Sequence, residues 1–138
     1  MTVPLRRSNE FLDCQMQSRV WCLDTLSTVL AGHPTNQQEM HRLGGLQVVV
    51  SVLVHSSRGP AANVAVTRAA LASLRHAFED HPGNQDDALH AGVAPLLVRL
   101  LSAGSDSALM VAVTEALKVM ARNHPLNKAA ILASGGTQ

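Results

Sequence analysis

Residues 76 to 90, HAFEDHPGNQDDALH, gather three histidines, three aspartates and a glutamate into fifteen positions. His76 and Asp80 lie four apart, as do Asp86 and His90, and on a helix that spacing puts each pair on one face, where it can hold a divalent ion. His76, Asp80 and His90 are thus the candidate groups of a metal-dependent enzyme. No other chemical signature accompanies them: the chain has no GxxxxGKS, HExxH, CxxC or GxSxG.

The same letters have an architectural reading. HPTN at 33–36, HPGN at 81–84 and HPLN at 124–127 share one pattern, spaced by 48 and 43 residues, and each is followed eight residues after its Asn by Gly44, Gly92 or Gly135. Proline cannot continue a preceding helix, so Pro34, Pro82 and Pro125 predict three helix stops. Asn36, Asn84 and Asn127 are expected to cap a new short helix, and the glycines to close it in a left-handed conformation. His81 then belongs to a corner shared with His33 and His124. Asp86 and Asp87 fall in the first turn of a helix, where negative charge is favourable anyway. His90 aligns with Arg42 and Ala133, and His76 with Thr28 and Val119, so no ligand set recurs. The expectation is a chain with no catalytic residue, metal or cofactor.

Apolar blocks follow the first two glycines, LQVVVSVLVHS from Leu46 and APLLVRLLSAG from Ala94. Val48, Val49, Val52 and Leu53 match Leu96, Leu97, Leu100 and Leu101, a spacing that forms a helical stripe. The β-branched run alone would favour a strand, but two copies of one unit share one structure, so both are predicted helical. A longer helix then runs to each HP, with stripes Leu23, Leu26, Leu30; Leu71, Leu74, Phe78; and Val113, Leu117, Met120. The extra residues of the longer unit fall in SSRGPAAN, Ser56 to Asn63. No unit buries its stripe alone, so stability must come from stacking.

Composition agrees with a helical protein whose core is Leu, Val and Ala. The 138 residues are 46% hydrophobic but 2% aromatic, with no Tyr. A net charge of +1 supplies no field to draw in nucleic acid or anionic lipid. The longest apolar run is too short to cross a bilayer, and the N-terminus lacks a signal-peptide core. Cys14 and Cys22, if on one helix, are separated by about 12 Å of rise, beyond disulfide reach. A reducing compartment, cytoplasmic with nuclear possible, is expected. Both cysteines, like Trp21, are expected in the core, and Arg6 and Arg7 in a solvated flank.

A three-helix unit of about 42 to 48 residues, entered through a Pro-Asn corner and with a second helix reading PLLVRLL, resembles the armadillo repeat family. The likeness is densest in ALHAGVAPLLVRLLSAG and EALKVMARNHPLNKAAILASGG, although the family usually has Asn where this chain has His33, His81 and His124. HEAT repeats are the nearest competing fold; the short capped first helix argues against them. The resemblance implies an all-α solenoid, a right-handed superhelix, as one domain over 1–138. Within it, 9–32 is the third helix of an incomplete repeat, 33–80 and 81–123 are repeats, and 124–138 opens a truncated one.

The resemblance also implies a concave groove along the third helices that binds an extended protein or peptide segment. Its positions in this chain are Val20, Asp24 and Thr28; Arg68, Ala72 and His76; and Val111, Glu115 and Val119. The Trp and Asn ladder of the importin-alpha branch is missing from them, which puts nuclear-signal binding in doubt. Neither end of the chain reads as a polar cap, so self-association through an end face, giving a homo-oligomer, is the alternative. No nucleic acid partner and no membrane insertion are expected.

Overall fold

The computed structural model describes residues 5–58, 63–104 and 106–135. The readings placed on residues 59–62 and 136–138, and on the side chains of Arg6, Arg7 and Cys14, lie outside what is described. The described residues form eight helices and no strand: α1 Leu5–Leu30, α2 Pro34–Arg42, α3 Gly45–Ser56, α4 Val64–Phe78, α5 Pro82–His90, α6 Val93–Ala103, α7 Ser107–Ala121 and α8 Pro125–Gly135. The Val48 to Val54 run is helical, against its β propensity, because α3 buries Leu46, Val49, Val50 and Leu53 along one face.

The long helix α4 lies between α1 and α7, and the short helix α5 between α2 and α8. Small residues let α4 approach its neighbour: Ser73 Oγ donates to Leu23 O at 2.9 Å and lies 3.1 Å from Ser27 Oγ. The predicted long-helix stripes form the core, with Leu30, Leu71, Leu74, Phe78, Val113 and Met120 sealed from solvent and Leu26 and Leu117 half-buried at its edge. In α3 and α6 the expected stripe is rotated slightly. Val48 and Leu101 stand exposed, while Leu46, Val50 and Ala94 take buried places.

Each HP corner is built the same way, and differently from expectation in one respect. Gly32, Asp80 and Asn123, the residues before the three histidines, have φ of 69°, 48° and 55°. Asn and Asp are the side chains that tolerate this left-handed conformation best after glycine. It swings the histidine N–H onto an unusual acceptor: His33, His81 and His124 bond Leu30 O, Phe78 O and Ala121 O, three residues back. The carbonyls that a continuing helix would have served, Val29 O, Ala77 O and Met120 O, are taken instead by the Nδ2 groups of Asn36, Asn84 and Asn127, at 2.7, 2.8 and 3.0 Å.

The asparagines are therefore not the caps. They lie inside the first turn of the short helices and stitch back onto the long helix just ended. Capping falls to the histidines: His81 Nδ1 accepts from Asn84 N at 3.0 Å and His124 Nδ1 from Asn127 N at 3.1 Å, whereas His33 makes no such bond. Gly44 and Gly92, both with φ of 70°, end α2 and α5 in the left-handed conformation as expected; Gly135 is the last helical residue of α8.

A second set of amides joins layer to layer. Gln37 Nε2 donates to His76 O and Glu79 O at the end of α4, and Gln85 Nε2 to Val119 O, Met120 O and Arg122 O at the end of α7. Asn84 and Asn127 in turn donate to Gln37 O and Gln85 O. The carbonyls that Gln37 and Gln85 reach belong to the ends of α4 and α7, where a helix runs short of partners of its own, and the neighbouring layer supplies donors there. No helix of the described residues is long and apolar enough to cross a membrane.

Candidate interaction surface

Residues four apart share a helix face, so each predicted trio forms a row. On α1, Val20 is half-buried while Asp24 and Thr28 are exposed, Thr28 Oγ1 bonding back to Asp24 O at 2.9 Å. On α4, Arg68 is exposed, Ala72 half-buried, and His76 half-buried with Nδ1 3.5 Å from Glu79 Oε2. On α7, Val111 is 62% exposed and Glu115 half-buried. Val119 drops out of the surface. It is 4% exposed, held in the core beneath the end of α7 that Gln85 grips.

What remains is an acid on α1, a base on α4 and an acid on α7, with Val20, Ala72 and Val111 between them. Chemically this surface can pair charges and cover apolar contacts. The other candidate constellation is not assembled. His90 Nδ1 donates to Asp86 O within its own helix at 2.8 Å, His76 faces Glu79, and Asp80 is exposed at the corner. No cluster of three or more His, Cys, Asp or Glu able to hold a metal occurs among the described residues.

The carboxylates of that stretch engage histidines of other layers. Asp87 Oδ2 lies 2.6 Å from His41 Nδ1, and Asp86 Oδ1 is 2.6 Å from His124 Nε2. Because His124 Nδ1 is an acceptor, its proton sits on Nε2 and is donated to Asp86. On the exposed side of α2, Arg42 forks onto Glu39 at 2.8 and 3.1 Å, which lowers the Glu39 carboxyl below its ordinary range and raises the guanidinium.

Two residues expected in the core lie outside it. Trp21 is 63% exposed, and Cys22 is an exposed free thiol that lines a hollow with Val48 and Val52 of α3. Nearby, Leu26, Val29, Met40, Leu43 and Val48 line a hollow of about 430 Å³ between α1, α2 and α3. A larger one of about 690 Å³ lies between α6 and α8, lined by Val98, Arg99, Leu101, Ile131 and Leu132. The 48-residue offset carried a signal for the first: the counterparts of Leu26, Val29 and Met40 are Leu74, Ala77 and Ala88, all buried because another layer covers them. Comparison of the chain with protein-family models, with curated proteins and with solved structures finds no match.

Proposed function

We propose that this chain is a non-catalytic interaction module, an α-solenoid of armadillo type with three helices to a repeat, which holds an extended segment of a partner protein across α1, α4 and α7. The observation that carries the reading is the run of Asp24, Arg68 and Glu115 on three helices in order, interleaved with Val20 and exposed Val111. The same asparagine bond back to the long helix at three corners spaced 48 and 43 residues apart supports the repeat assignment. Side chains fixed on packed helices are already ordered, so the entropy of association falls on the partner. The free thiol of Cys22 fits a reducing compartment.

Replacing Arg68 and His76 together by Glu turns the middle row acidic without touching the core. A partner captured by the native protein is expected to be lost with helicity by circular dichroism unchanged; capture that survives the double substitution removes α4 from the binding surface. A second reading, a structural subunit that self-associates, draws on exposed Val29, Leu43 and Val48, which line the hollow on the outer face of α1 to α3, and on Trp21, exposed on α1.

A further inference from the structure

We propose that the joint between α2 and α5 is a pH-sensitive latch built on His81, closed while its imidazole is neutral and released when Nδ1 takes up a proton. The central corner differs from the other two in what surrounds its histidine. His81 Nδ1 accepts the Asn84 N–H at 3.0 Å, so in the closed state it carries no proton, and the Nε2–H is donated to Gln38 Oε1 of α2 at 3.0 Å. One neutral ring thereby caps α5 and ties it to α2.

A proton on Nδ1 turns that acceptor into a second donor facing the Asn84 N–H, at the positive end of the α5 dipole. One further group presses the same way. The His41 ring of α2 stands 5.9 Å from the His81 ring, centroid to centroid, at 57°. Both rings pack on Gly83, where an added Cβ would lie 3.2 Å from His81 and 3.3 Å from His41. The other corners carry Thr35 and Leu126 at this position.

The groups facing His81 are Gln38 and His41 from α2 and Asp87 from α5; Asp80, just before it, is exposed. Asp87 is the one carboxylate among these that favours the charged ring, and it is engaged by His41. Burial first, then the neighbouring His41, hold the His81 imidazole below its ordinary range, with a hydrogen bond to its own backbone and then Asp87 opposing. A depressed histidine contributes stability that is complete above the unfolded value near 6.5 and is lost as pH falls from there through the folded one.

Asparagine is an efficient helix cap that does not titrate, so His81→Asn keeps the cap and removes the switch. Urea unfolding of the native protein, His81→Asn and His81→Ala between pH 7.5 and 5 separates the roles. The native unfolding constant should rise relative to that of His81→Asn by up to about tenfold per pH unit below 6.5. His81→Ala should be weaker by about fivefold at pH 7.5, the ordinary effect of a lost cap, and show no extra pH slope. In the native protein, NMR should place the proton on Nε2 at pH 7.5 and the His81 midpoint below 6.5. Parallel pH curves for the native protein and His81→Asn, or a midpoint at or above 6.5, overturn the latch.

Discussion

Asn84 and Asn36 occupy the same place in two corners, yet they should differ in what they contribute. Asn84 is fully buried, and Asn84→Ala removes two donated bonds, 2.8 Å to Ala77 O and 3.2 Å to Gln37 O. Gln37 O lies inside α2 and keeps a helical partner, but Ala77 O does not, because His81 N bonds Phe78 O. One orphaned buried carbonyl and the second lost bond together cost about 2 to 4 kcal/mol, and the small void left behind adds to that. Asn84 Oδ1 is itself buried without a partner, and its removal offsets about 1 kcal/mol. The net expectation is a loss of about 2 to 3 kcal/mol. Asn36 is exposed and makes a single 2.7 Å bond to Val29 O; water replaces it in Asn36→Ala, for less than about 1 kcal/mol. Urea titrations with a common m value measure both. Costs within about 0.5 kcal/mol of each other would refute the claim that the covering layer, rather than the motif, sets the energy.

Gly92→Ala places a β-carbon in open space but at φ of 70°, so it should cost about 1 to 2 kcal/mol from backbone strain alone, with Gly92→Asn milder; a neutral Gly92→Ala in the same titration would contradict the strained turn. If the outer face of α1 to α3 mediates self-association, light scattering at high micromolar concentration should give a multimeric native mass that falls to the monomer in the double substitution Leu43→Glu, Val48→Glu. A monomeric native protein dismisses that reading.

The helical stops were legible because proline acts locally: Pro34, Pro82 and Pro125 each open a short helix wherever the rest of the chain goes. The division of labour within the corner was not. Asparagine ranks far ahead of histidine as a cap, and its actual acceptors lie seven residues back and on a neighbouring layer, which no local window contains. Gln37 and Gln85 read as ordinary polar helix residues for the same reason, since their partners are some 34 to 42 positions distant. Trp21 and Cys22 were expected in the core from residue type alone, and neither falls on the Leu23, Leu26, Leu30 stripe that α1 turns inward. Val119 shows the converse, a groove position by offset that packing of α5 against α7 has buried.

The amides of Asn84, Asn127, Gln37 and Gln85 have a mechanical consequence. All their ties run along the edge formed by α2, α5 and α8 with the ends of the long helices. Among the described residues no hydrogen bond joins α3 to α6 on the other edge. Directional bonds resist sliding, whereas apolar contacts permit small shear. Bending should therefore pivot about the polar edge like a book about its spine, opening and closing the α3 and α6 side while the corners keep their spacing.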